Sequence, residues 1–181
     1  MPTAWTLDAS DGELHILTGV AGPAARMGHR LTILVATWSA SVDWDGEQPA
    51  TVRLSAEIAS LAIERGDGGV TPLSGPERAL ARSNALKTLN AERFPSVSFQ
   101  SDAVEPDNGG YLLHGQLDIH GHRREHAVHV DVEDRGDTWR MSSRTEVRHT
   151  DFGIKPYSMF MGSLKVADPV EITFTATRAK G

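Results

Sequence analysis

Apolar and polar residues alternate one by one along much of this chain. Val52, Leu54, Ala56 and Ile58 are interleaved with Thr51, Arg53, Ser55 and Glu57. The same period of two runs through Tyr111, Leu113, Gly115, Leu117 and Ile119, and through Val128, Val130 and Val132. It returns in Trp139, Met141, Ser143, Thr145 and Val147, and again in Val170, Ile172, Phe174 and Ala176. Successive side chains of a strand point to opposite faces, so each segment has one wet and one dry face, as antiparallel strands do. Turn-forming residues separate the segments at Asp45-Gly46, Asp107-Asn-Gly-Gly110, Gly121, Arg135-Gly-Asp137 and Asp168-Pro169. Two earlier stretches, Leu14 to Val20 and Leu31 to Val42, read as less regular strands.

One stretch breaks the alternation. From Gly75 to Leu89 the only β-branched residue is Thr88, Pro76 and Glu77 stand in the first turn, and Lys87 lies near the end. This predicts a helix, and Pro23 to Met27 predicts a second, shorter one. Gly66-Asp-Gly-Gly69 lacks the Lys-Ser/Thr of a phosphate loop and reads as a loop. Many one-faced strands around one helix predict an all-β fold in which the sheet curls on itself and hides its edges, with a two-sheet sandwich as the alternative.

Composition adds limits. The chain has 181 residues, 39% hydrophobic and 23% charged, enough for one domain over 1–181 with a sizeable core. Its net charge of −6 gives no general attraction to nucleic acid or an anionic membrane, although Arg123 and Arg124 could form a local basic patch. There is no cysteine, hence no disulfide and no thiolate metal site. The start lacks the basic-then-apolar order of a secretory signal, and no run is long enough to span a membrane, so the cytoplasm is the expected location without stable membrane insertion.

Several fragments, in order, resemble the YceI-like family. They are Trp5-Thr-Leu-Asp8, Gly28-His29, Asn84-Ala-Leu-Lys-Thr-Leu89 with Phe94-Pro95-Ser-Val-Ser-Phe99, and Gly115-Gln-Leu-Asp-Ile-His-Gly121 with Val128. Asp151-Phe152-Gly153 and Val166-Ala-Asp168 through Ile172 complete the set, while Asp118 stands where the family usually has Thr. The resemblance implies a single antiparallel lipocalin-like β-barrel of about eight strands with one or two short helices. It also implies a binding protein, not an enzyme, for a hydrophobic small molecule, an isoprenoid lipid or quinone, and a possible homodimer. No cofactor, catalytic residue or resident metal is expected.

The apolar faces then place the ligand between Val52, Leu54, Ile58, Phe99, Leu117, Ile119, Ile172 and Phe174, with Phe152, Tyr157 and Phe160 in an entrance loop running from Phe152 to Met161. Tyr157, Met159, Phe160 and Met161 form a soft apolar cluster suited to an irregular ligand, or to plugging the chain's own core. Lys155 and Lys165 flank it as head-group contacts or plain surface lysines. His122-Arg-Arg-Glu-His126 matches the H-x-x-E-H pattern of inverted zinc peptidases, which needs a helix, yet it follows Gly121 in what should be a hairpin turn. His114, His120 and His122 share a parity that would set three imidazoles on one solvent face, open to adventitious metal. His29 is expected in a capping or core hydrogen bond. A filled barrel acting as an interaction module and a metal-dependent enzyme remain as alternatives.

Overall fold

The structure, a computed structural model, describes residues 4–181; residues 1–3, the first of the expected single domain, lie outside the described residues. In chain order it contains β1 (Trp5–Asp8), β2 (Gly12–Leu17), β3 (Val20–Ala21), β4 (His29–Val35), β5 (Trp38–Asp45), β6 (Gln48–Glu57) and β7 (Leu61–Gly68). Helix α1 (Gly75–Thr88) follows, then β8 (Ser96–Asp107), β9 (Gly110–Ile119), β10 (His122–Asp134) and β11 (Thr138–Arg148). The chain ends with β12 (Ser158–Met159), β13 (Leu164–Val166) and β14 (Pro169–Ala179). The second helix expected at Pro23 to Met27 is a single 3-10 turn over Ala25–Met27.

Eleven strands form one antiparallel sheet in the order β1-β5-β6-β8-β9-β10-β11-β14-β2-β4-β7, and β12-β13-β3 form a small second one. The expected closed barrel of about eight strands is thereby corrected. The sheet is an open, strongly curled half-barrel with β1 and β7 at its edges. The miscount has a physical cause, because three long segments bend at corners and each supplies a strand to both ends of the order. Trp5 to Leu17 bends at Asp8–Asp11, where the Ser10 N–H and hydroxyl both donate to Asp8 Oδ1. His29 to Asp45 bends at Ala36–Thr37, and Gln48 to Gly68 bends at the 3-10 turn Ile58–Ser60. The Ala36 N–H donates to the Ser60 carbonyl at 3.2 Å and the Glu57 N–H to that of Thr37 at 3.0 Å, so the last two bends are locked together. The stretch Leu31 to Val42 is therefore two strands, and Gly66, Asp67 and Gly68 are strand, paired with Leu31, Arg30 and His29, instead of a loop.

The corner carries the main core. Leu7, Leu14, Ile33, Val35, Trp38, Ile58 and Leu61 are buried together, drawing both ends of the strand order to one place. A second cluster joins Phe99, Leu113 and Leu117 to Val147, Phe152 and Ile154. Opposite His126 on the neighbouring strand stands Gly115, where a Cβ would lie 2.4 Å from the Gln100 carbonyl oxygen and 2.7 Å from the Phe99 ring. Phe99 packs over this bare backbone, which explains a glycine at an inward strand position.

Helix α1 starts where the polar signals put it, one residue more fully capped than its first turn alone reveals. Ser74 accepts from the Glu77 N–H at 3.2 Å, and Glu77 returns a contact to the Ser74 N–H, a complete capping box. Arg82 then anchors the helix to the corner, its guanidinium donating to the carbonyls of Leu61 at 2.7 Å and Ala59 at 2.5 Å.

Candidate functional site

The concave side of the half-barrel encloses a cavity of about 1200 Å³. Its walls are almost wholly apolar because they are the dry parity of the strands: Leu54 from β6, Leu117 from β9, Val130 from β10, Met141 from β11 and Ile172 from β14. Helix α1 covers one side with Leu80, Ala81 and Ala85, and its C-cap Leu89 adds to the same wall. Trp5, Trp44 and Trp139 stand at the end where the β5–β6 and β10–β11 turns lie. The indole N–H of Trp44 is buried there without a hydrogen-bond partner among the described residues.

All eleven residues expected to meet a ligand border this one cavity: Val52, Leu54, Ile58, Phe99, Leu117, Ile119, Phe152, Tyr157, Phe160, Ile172 and Phe174. They differ in kind. Phe152 is only 3% exposed and belongs to the second core cluster, whereas Phe160 is 59% exposed at the rim. Of the cluster read either as a ligand contact or as a plug of the core, Met159, Phe160 and Met161 are exposed, and the packed side chains of the loop are Phe152 and Ile154 instead.

A polar point interrupts the apolar wall. The ladder between β10 and β11 runs only from Val130–Ser143 to Asp134–Trp139, so His122 to His129 and Arg144 to Arg148 are not paired with each other. In this split the His126 Nε2 and Thr145 Oγ1 share a hydrogen bond at 2.7 Å, and Arg124 Nε donates to the Asp151 carbonyl at 3.0 Å. His126 and Thr145 both border the cavity. Burial holds the His126 imidazole below its ordinary pKa of 6.5, favouring the neutral ring. Sequence reasoning missed this residue as a cavity group, although His126 shares the parity of Val128 and Val130.

The other histidines take separate roles. The turn between β9 and β10 is only His120–Gly121, both with positive φ, so the H-x-x-E-H residues lie in the strand after the turn and not in it. An extended strand spreads its two histidines by roughly 13 Å along the chain, unlike the single helical turn a zinc peptidase needs. Of the three histidines expected on one face, His120 and His122 do come together, their rings stacked with centroids 6.0 Å apart, while His114 stands apart from them. His122 pairs with Ile119 across the turn and packs against Gly153. His114 instead faces Glu105 at 3.1 Å, and His120 packs on Phe94. His29 makes the expected hydrogen bond, donating from Nε2 to the Thr71 carbonyl at 2.7 Å. Lys155 is exposed, and Lys165 is exposed at the cavity border.

The comparisons agree with this architecture. BcnA of Burkholderia cenocepacia has the same fold with a TM-score of 0.72 at 18% identity, over 96% of this chain and 99% of that one. A YceI protein of Campylobacter jejuni aligns with a TM-score of 0.60 at 14% identity, over 80% of this chain and 81% of that one. No curated protein matches the chain in sequence. The family model for the YceI-like domain matches residues 5–178, which span every strand of the half-barrel and both halves of the cavity wall. On that match the chain belongs to the YceI-like family.

Proposed function

We propose that the chain is a carrier or sequestering protein that holds one isoprenoid lipid or quinone along the cavity. The observation that carries this reading is the cavity itself, about 1200 Å³ with apolar walls. That is larger than the roughly 300–1,000 Å³ typical of small-molecule sites, as a long chain-like cargo requires. Each methylene moved from water into such walls contributes about 0.8 kcal/mol, so a few isoprene units offset the cost of ordering the chain. The eleven wall residues would contact the tail. His126 and Thr145 would meet an oxygen of the cargo, a hydroxyl or carbonyl, since a neutral imidazole bound to Thr145 through Nε2 keeps Nδ1 for a further hydrogen bond.

An unfilled interior weighs against a packed interaction module. No enzymatic step is proposed for a site whose polar groups are this few. The same proposal takes the chain as one domain working in the cytoplasm, which fractionation of its host would test. The direct experiment is mass spectrometry of an organic extract from protein purified without detergent. One apolar species near one per chain is the expected result; an empty extract, repeated by native spray, would overturn the carrier reading.

A further inference from the structure

The exposed large apolar side chains among the described residues do not scatter. They are Met27, Val70, Leu80, Met159, Phe160 and Met161, from four separate segments. Five of them border the cavity, and Met161 adjoins Phe160 while being fully exposed. A globular surface carries single exposed apolar residues at many places; gathering them on one rim marks an interaction site.

Backbone geometry makes the gathering more pointed. Phe160 and Met161 have φ of 51° and 57°, a left-handed conformation that residues with a Cβ rarely adopt. Glycine or asparagine would fill these positions with less strain. The chain instead holds a Phe and a Met there, both outside the core and turned to solvent. Strain kept at exposed positions points to use of those side chains outside the fold.

The segments that carry these side chains have their own sign of charge. Gly22 to Arg30, Asp67 to Leu80 and Ile154 to Val166 together carry five basic side chains, Arg26, Arg30, Arg78, Lys155 and Lys165, against two acidic ones, Asp67 and Glu77. The chain as a whole has a net charge of −6. The segments that carry the exposed apolar side chains are therefore basic on an acidic protein, and of their charged side chains Lys165 and Glu77 border the cavity itself.

We infer that this rim docks on the surface of a lipid bilayer, with Phe160 and Met161 entering the interface and the basic side chains facing anionic head groups. Apolar side chains seated at the acyl boundary and cations at the head groups are the two components of reversible peripheral binding. Docking in this pose sets the cavity mouth against the bilayer, so an apolar cargo passes between them without crossing water. The inference goes beyond the carrier reading, and its test needs no cargo.

The test is flotation of the purified chain with vesicles of phosphatidylcholine, alone or with about a quarter phosphatidylglycerol. The chain is expected to float with the anionic vesicles more than with the neutral ones. The double variant Phe160→Asn, Met161→Asn should lose roughly tenfold or more of that binding, while its Tm is unchanged or raised because asparagine tolerates the left-handed backbone. Three results would overturn the inference. The wild type could fail to float with either vesicle, or the double variant could float as well as the wild type. Sedimentation could also reveal a wild-type dimer that the double variant dissolves, which would make the rim a contact between two copies.

Discussion

Replacing His126 with phenylalanine keeps a ring of similar bulk in the split between β10 and β11 but removes both nitrogens. In the wild type one nitrogen bonds Thr145 Oγ1 at 2.7 Å in a partly buried place. A hydrogen bond of this kind contributes about 0.5–1.5 kcal/mol net, so the variant should be less stable by about that amount at about pH 7. The loss should shrink on acidification, and the sign follows from burial. Because His126 is held below its ordinary value of 6.5 in the folded chain, the unfolded chain binds the proton first as the pH falls. Wild-type stability therefore declines between 6.5 and the lower folded value, and a phenylalanine has no such term. Urea unfolding of both proteins at about pH 7 and about pH 5.5 measures the gap. A gap that stays constant or widens at the lower pH refutes the assignment of His126 as a neutral wall group. The cargo side is separable: two ligands with the same tail, one ending in a hydroxyl or carbonyl and one a plain hydrocarbon, are titrated by tryptophan fluorescence. The wild type should favour the oxygenated ligand by about tenfold and the variant should not. Equal preference in both proteins would place the oxygen elsewhere while leaving the carrier reading intact; failure of both ligands to bind the wild type would strike the carrier reading itself.

Further outcomes follow from single sites. Gly115→Ala puts a methyl 2.4 Å from the Gln100 carbonyl oxygen and should cost about 1–3 kcal/mol in urea unfolding. Ser74→Ala removes the capping box of α1 and should cost about 1 kcal/mol, read as a lower Tm by circular dichroism. Phe152→Ala empties a site only 3% exposed and should cost about 3–5 kcal/mol. His129 lies between Asp131 and Asp107, and its hydrogen bond to Asp131 is the main cause holding its pKa above 6.5. Its contribution to stability is thus full below 6.5 and lost as the pH rises through the folded value. Asp131→Asn should lower that pKa in an NMR titration.

The inward parity of β6, β9, β10, β11 and β14 was legible because a half-buried strand must alternate, and the eleven residues named from the sequence all border one cavity. The corners were not legible. No glycine or proline marks the bends at Ala36–Thr37 and Ile58–Ser60; the local trace is a one-residue slip in the apolar parity, from Ile33 and Val35 to Trp38 and Ala40 and from Ala56 and Ile58 to Leu61 and Ile63, and what holds the bends is a pair of backbone hydrogen bonds between segments far apart in sequence. His126 was hidden for a related reason. Five histidines crowded into one hairpin read as a polar surface, yet the ladder stops at Val130–Ser143 and leaves an imidazole to bridge the gap. Local pattern cannot report where a ladder ends.

The corners also explain how a chain of this size keeps a large cavity and still folds. Tight packing is concentrated in two places: the bend, where Trp38 and Phe174 meet edge to face at 5.2 Å, and the cluster around Phe152 and Ile154. Both clusters border the cavity without filling it. A closed barrel packed evenly along its axis would have placed those contacts in the middle, where the cavity lies. Stability that resides in the bend and the plug leaves Leu54, Ile172 and their neighbours partly uncovered, which is the condition for an apolar ligand to gain by entering. Cargo binding should therefore raise Tm, with the rise growing as the logarithm of affinity at a fixed cargo concentration. Core substitutions such as Phe152→Ala, by contrast, should lower stability with or without cargo.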